Sequence, residues 1–509
     1  MLRKVTLLVF LLAVFMVFVF PGEGKKDAKD KDPVPKPIEI LSAYVNTAQF
    51  NDFPGDVVTR AKYLILDNIG CALGGTQTGV GKKYLKLAAN WKGTPESTVM
   101  GIGSKVSCMN AAYVNAQLAN VLDFDDTYDL YSPGHPGNAI IQTAIALGES
   151  IGASGEEVLT AVILGYEVSL RIGRALGSID WQTPMYLDSM TRGTTTVSSR
   201  LLKLEEKEIC NALHHAIEIP LPAKRQKFDI PPAFIVPETK SDFGLNGIRG
   251  ILNARLAQQG VTLGLGMSIL DGDFKQWYLT GGDIQGFDIL TGGLGKIYRI
   301  MEVSFKPTPS CRLSHAPVTA LWKALDHKHV KGKNIEQITI KNVKRLDRPE
   351  WEIMMEAQFS MQCVIALAAL GVEPGPKWYT TGKFKDPEVR ELAAKVKLEN
   401  DPEAEEMEIR EGKVKCAATV KFKDGTVKKA TIYHVKGAPG NPMTEEELKA
   451  KFKANTIDIF SEAQVNNIIE AILNLEKLPK VSDLTKLLSS PKVTIDYFSP
   501  PNVPHCGKK

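Results

Sequence analysis

The sequence predicts a mainly α fold with an α+β part: a large all-helical domain with a smaller α+β lid domain inserted into it. Three observations carry this expectation. Apolar residues recur at helical spacing from about Ile38 onward. Period-2 alternation appears later, in Asn334 to Val343 and Cys416 to Val435. Helical patterning then returns, so the C-terminal helices are expected to rejoin the first domain. A length of 509 residues suggests two to four domains, and a 44% hydrophobic content is ample for large cores.

Taken in order, the first segment is set apart from the fold. Arg3 and Lys4 precede the uncharged run Val5 to Phe20, which is long for a signal h-region and short for a full membrane span. Residues 1–24 therefore read as a signal peptide or membrane anchor. Export to the periplasm or exterior, or N-terminal membrane association, is the expectation, and a cytoplasmic location is the runner-up. Residues 25–37 are charged and Pro-rich, as a solvated linker is.

The helical part follows over 38–300. Val57 to Leu73 places Val58, Ala61, Leu64, Ile65, Ile69 and Leu73 on one face, and Gly74-Gly75 is expected to stop that helix. Further helices are predicted near Lys82 to Asn90, Met109 to Leu122 and Asn138 to Ser150. Ser154 and Glu157 have capping-box spacing ahead of Val158 to Leu176. The α+β part is assigned to 301–440. There Trp351 to Leu370 reads as one helix on the sheet, and Asp424-Gly425 as a two-residue hairpin turn. Residues 441–490 are helical again, with Thr444 and Glu447 forming a capping box and Val465 to Leu475 strongly amphipathic; 491–509 form a tail.

Composition excludes several classes. With 62 basic and 58 acidic residues, a net charge of +4 does not suggest nucleic-acid binding, and no basic patch is interleaved with aromatics. The seven cysteines lack a C-x-x-C pair and read as free thiols. His214-His215 and His327-x-His329 lack metal spacing, so no metal is expected. Thr291 to Lys296 resembles a phosphate loop only faintly. Leu290 stands where its first Gly belongs, and Ile297 where a Ser or Thr belongs.

The stretch with most chemistry is Asp123 to Asp129, four carboxylates in seven positions, followed by Gly134-His135-Pro136-Gly137. Carboxylates repel, so such crowding requires compensating cations or solvent. Residue types alone leave two readings open: an active-site loop between helices, or an acidic turn at a helix N-terminus favoured by its dipole.

Six segments in order, AKYLILDNIGCALGG, NAQLANVLDFDDT, GHPGNAIIQTAIAL, GYEVSLRIGRAL, FKPTPSCRLSHAPVTAL and GNPMTEEELKAKF, make the chain resemble the MmgE/PrpD family. That family contains 2-methylcitrate dehydratase and cis-aconitate decarboxylase. The resemblance spans about Ile38 to Leu488. It implies a homodimer, a site between the helical and α+β domains, a small di- or tricarboxylate substrate and no organic cofactor. It also implies catalytic roles for Asp123, Thr127, His135 and Lys306. His135 is the natural proton carrier, since its unperturbed pKa lies near neutrality. Lys306, in the Pro-stiffened run Phe305 to Arg312, suits a carboxylate clamp, to which Arg312 could add a bidentate contact. Asp123 could orient His135 or hold Lys306, and Thr127 could bond to substrate. The bland alternatives are a helix-entry histidine, a solvated lysine and two turn-capping side chains.

The chain departs from the family pattern at Asn120, where a His is common. By ungapped alignment it also departs at Tyr186 (His expected), Arg249 (Lys expected) and Cys363 (Tyr in decarboxylase-like members). Tyr186, Arg249, Arg312 and Cys363 are the candidate substrate-binding residues. Arg249 would stay cationic but could hardly shuttle protons. The functional expectation is a cofactor-independent lyase, dehydratase or decarboxylase in type, working by proton transfer next to a carboxylate. An epimerase on the same fold, or an exported non-catalytic carboxylate-binding protein, is the alternative.

Overall fold

The computed structural model describes residues 36–129, 134–176, 185–216, 243–262, 287–342, 346–411 and 413–495; at 176, 185–189, 287 and 408–411 it describes the backbone alone. The expected signal or anchor segment and most of its linker lie outside these residues. Among the described residues, no helix is long and apolar enough to cross a membrane.

Helix α1 (Gly55–Gly75) buries every residue from Leu64 to Gly75. Its terminal glycines do more than end it: a Cβ on Gly75 would lie 2.1 Å from the Leu118 carbonyl oxygen of α2 (Cys108–Asn120), so only glycine permits this approach. Helix α3 (Pro136–Ile151) begins on a proline whose fixed φ suits the first turn, and Gly152 closes it at φ 71°. Ser154 and Glu157 exchange capping bonds ahead of α4 (Gly155–Leu176), as their spacing predicts. Helix α4 packs on α5 (Met185–Leu201), where Gly165 and Gly193 face each other, and α6 (Phe243–Gln258) packs across α5 and α2.

The α+β part carries a four-stranded sheet of β1 (Ile335–Asn342), β2 (Val396–Asn400), β3 (Cys416–Phe422) and β4 (Val427–Ile432) in the order β2-β1-β3-β4; only the β1–β2 pair is parallel. Helix α7 (His315–Ala324) lies on β3 and β4, and α8 (Met361–Ala369) packs against α7. The single helix expected over Trp351 to Leu370 is two, Met354–Gln358 and α8. The break falls where Ser360 takes an extended conformation and its hydroxyl accepts from the Cys363 amide. The hairpin turn is also longer than expected: Phe422 still pairs with Thr426, and Gly425, at φ 87°, supplies the left-handed residue of a three-residue loop.

Helices α9 (Glu445–Thr456) and α10 (Glu462–Leu473) return to pack on α1. The apolar core of the sheet region takes in Cys71, Leu122 and Phe124 from the helical region. The acidic stretch therefore begins on the seam between the two.

Candidate active site

Where α2 ends, Asp123 adopts a left-handed φ of 49° and its amide bonds back to the Asn120 carbonyl at 2.7 Å. After a bend at Asp125, Thr127 exchanges two backbone hydrogen bonds with Ser304, at 2.9 and 2.7 Å. That bridge holds the acidic loop against the segment leading to Lys306. The Lys306 ammonium, fully buried, donates to the Asp123 side chain and to its carbonyl oxygen at 2.9 Å. A buried ammonium stays charged only when paired and bonded in this way. Lys306 is thus no solvated surface lysine, and of the two roles open to Asp123 the structure assigns the one that holds Lys306.

His135 is oriented by a different carboxylate. Its Nδ1 lies 2.8 Å from Asp125 Oδ2 and 3.0 Å from the Asp126 carbonyl oxygen. Both neighbours can only accept, so Nδ1 carries a proton. Nε2 stands 4.0 Å from Asp123 Oδ1, which places the imidazole and the lysine on the same carboxylate. Asp125 also accepts from Asn120 at 3.0 Å and Asn138 at 2.7 Å. Burial alone would raise its pKa, but the charges of His135 and Lys306 and the His135 bond outweigh this and pull it down to about 2. Asn120, the departure from the common His, thus anchors the carboxylate that orients His135.

Behind this lies a further buried layer. Asp126 accepts from the Gly137 amide at 3.1 Å and the Tyr166 hydroxyl at 2.9 Å, at the start of α3. Burial, reinforced by the Asp125 charge, nevertheless raises its pKa to about 8. An unfolded Asp titrates near 4, so between about pH 4 and about pH 8 the folded state holds a proton that the unfolded state has released. Stability is therefore expected to fall as pH rises through that window and to level off above it. Asp126→Asn, which keeps an acceptor for both donors, should flatten this slope in urea denaturation series across pH; an unchanged slope would count against the assignment.

Asp67 of α1 pairs with Lys451 of α9 at 2.6 Å, and the same ammonium donates to the Phe124 carbonyl at 2.6 Å and lies 3.9 Å from the Phe124 ring centroid. This pair ties a C-terminal helix to the acidic loop. Sequence reasoning missed both residues. Their signal was a charge on an otherwise buried helix face: Asp67 beside Ile65 and Ile69, Lys451 beside Leu448 and Phe452.

Arg312 lies at the rim of this cluster. It forms a two-pronged ion pair with Asp129, its Nε donating at 2.8 Å, so the bidentate site expected for substrate is engaged by the chain's own carboxylate. Its Nη1 reaches His315 Nδ1 at 3.3 Å. Thr127 is buried; its hydroxyl lies 3.4 Å from Asp129 Oδ1, and its backbone does the positioning. Side-chain exposure rises from 0% at Lys306 through 9% at His135 and 17% at Arg312 to 30% at Asp129, so the cluster reaches the surface on the Asp129 side.

The other three candidates are placed differently. Arg249 is not brought to Lys306: it is exposed on the outer face of α6 with Leu245 and Leu252, because Phe243, Asn246, Gly247, Gly250 and Asn253 form the buried face. Cys363 is sealed in the core of the α+β part, where burial pushes its thiol far up, so it offers neither thiolate nor accessible donor. Tyr379, close by, is buried and donates to the Pro309 carbonyl. The side chain of Tyr186 lies outside the described residues.

Ligand atoms of Asp123, Asp125 and His135 lie within 4.8 Å of one another, a grouping that the spacing of the histidines did not suggest. Lys306 already donates to one oxygen of Asp123, and the Asn120 and Asn138 amides donate to Asp125. The cation that this carboxylate cluster requires is already built into the chain.

With this geometry the chain can be placed. It belongs to the MmgE/PrpD family: the family's N-terminal domain matches residues 39–283 and its C-terminal domain residues 308–477. The chain is similar to cis-aconitate decarboxylase of Mus musculus, 26% identical over 89% of this chain and 94% of the relative. It is also similar to the Homo sapiens enzyme of that name, 28% identical over 88% and 92%, and to that of Aspergillus terreus, 24% identical over 87% and 93%.

Proposed function

We propose that this protein is a lyase of the decarboxylase type acting on a small unsaturated tricarboxylate such as cis-aconitate. The observation that carries the proposal is the convergence of His135 Nε2 and the Lys306 ammonium on Asp123 at a buried seam. Near-full-length similarity to cis-aconitate decarboxylases supports the substrate class.

A carboxylate entering past Asp129 meets Arg312 first and competes with Asp129 for it. Lys306 stabilises the negative charge of the carboxylates that remain on the substrate. The bond between the departing carboxyl carbon and its neighbour breaks, and CO2 leaves. The electron pair left behind spreads into the adjoining double bond and carboxylate, and the terminal carbon takes a proton from His135 Nε2. Asp125, ionised throughout, stabilises the imidazolium that precedes this transfer. No group beyond these side chains is required for the proton step.

Calorimetry and turnover assays with cis-aconitate, citrate and other hydroxy-diacids and tricarboxylates test the proposal. Release of CO2 from cis-aconitate supports it. Solvent deuterium appearing in substrate without net loss of CO2 or water would point instead to an epimerase, and absence of both binding and turnover would refute an enzyme of this class.

We also propose that the subunit pairs through the outer face of α6, where Leu245 and Leu252 expose 41% and 46% of their surface around Arg249. Sedimentation velocity should give a dimer, and Leu252→Glu should shift it towards monomer.

A further inference from the structure

We propose that His315 is a substrate-binding residue, its Nε2–H donating to a carboxylate of the tricarboxylate while Arg312 fixes its tautomer from behind. The proposal deepens the lyase assignment and rests on it.

The tautomer follows from the neighbour. A guanidinium can only donate, so the Arg312 Nη1 contact at 3.3 Å makes His315 Nδ1 an acceptor, and a neutral ring must carry its proton on Nε2. The ring is fully buried, and its Nε2 finds no hydrogen-bond partner among the described residues. A donor withdrawn from water and left unpaired costs free energy, so one that persists calls for an occupant.

The surroundings say what that occupant carries. Of the charges that act most strongly on His315, Arg312, Lys306 and Lys451 are cations and Asp123 is a carboxylate, with Arg312 and Lys451 themselves paired to Asp129 and Asp67. Burial and these cations push its pKa well below the ordinary value, so the ring remains a neutral donor. Nearby hydroxyls cannot replace it. Ser314 donates to the Cys311 carbonyl at 2.7 Å, so it accepts from Ser310 at 2.8 Å, which in turn accepts from Thr308 at 3.0 Å. Every hydroxyl proton of that chain is committed, and the imidazole N–H is the donor left over. His315 also opens α7, where the positive end of the helix dipole favours an anion. Arg312, by contrast, is a positioning residue for this contact: it holds the ring as well as guarding the rim.

Isothermal titration of the full chain with cis-aconitate and citrate, comparing the parent with His315→Leu and His315→Gln, tests the proposal. The expected result is affinity weaker by about 10- to 100-fold in His315→Leu, the loss of one hydrogen bond to a charged group, and affinity much nearer the parent in His315→Gln, which keeps an N–H donor. Equal affinity in parent and His315→Leu would overturn the role of His315 while leaving the lyase assignment standing. A parent that binds neither tricarboxylate would remove the lyase assignment and this proposal with it. Should His315→Leu fail to fold, 15N NMR of the parent decides. The Nε2–H tautomer should be present and its resonance should move on adding cis-aconitate, and Arg312→Met should redistribute the tautomers. A resonance that ligand leaves unmoved would refute the contact.

Discussion

Lys306→Met is expected to destabilise the protein by about 3–5 kcal/mol, the usual cost of removing one partner from a buried ion pair. Lys306 is fully buried and its ammonium donates twice to Asp123. Methionine fills much of the same volume but leaves the Asp123 carboxylate without its counter-charge, in a pocket that already contains Asp125. Much of the loss is therefore the stranded charge rather than the missing bond. Asp123→Asn in the same chain should recover a large part of it, and a double-mutant cycle from urea denaturation would measure the coupling. If the single variants prove additive, the pair is not the keystone of the seam. Activity should not return in the double variant, because the clamp for substrate charge is gone, and that separates the two roles of the lysine.

The second large effect is on turnover. His135→Gln should lower kcat by about 10²- to 10⁴-fold, the range contributed by a positioned proton donor. The unfolding midpoint should fall as well, because the imidazole charge and bond help hold the buried Asp125 carboxylate ionised, though by less than in Lys306→Met. His135 bonds to Asp125 and to the Asp126 carbonyl, and Asp125 retains its two asparagine donors when the imidazole is lost. Affinity for tricarboxylate should be largely kept, since Lys306 and Arg312 remain. A variant with near-parental turnover would shift the proton to another group, with the 4.0 Å approach of Nε2 to Asp123 then incidental.

Much of the architecture was legible because its signals are local. Periodicity located α1, α3 and α4, and the Ser154–Glu157 and Thr444–Glu447 boxes form as their spacing requires. The errors were local as well. Trp351 to Leu370 is apolar enough for one helix, but its break depends on Ser360, whose hydroxyl accepts from the Cys363 amide and whose own proton goes to the Arg348 carbonyl. That partner lies outside the segment.

For the site, sequence supplied the cast and the fold supplied the pairings. His135 and Lys306 were named from motifs, yet the pairing of Asp125 with His135 and of Asp123 with Lys306 could not be read from two chemically identical aspartates that flank Phe124. Asp67 and Lys451 are 384 residues apart in sequence and meet because α9 returns to α1. Arg249 looked equivalent to a pocket cation but falls on the solvent face of α6, since helical phase, not residue type, sets its direction. By itself the chain determined where many of its helices and three of the four strands of the larger sheet lie, because periodicity and capping act over a few residues. Which carboxylate serves which cation, and which cations face the seam, was decided only by tertiary packing. Electrostatic pairing depends on distances that chain order does not encode.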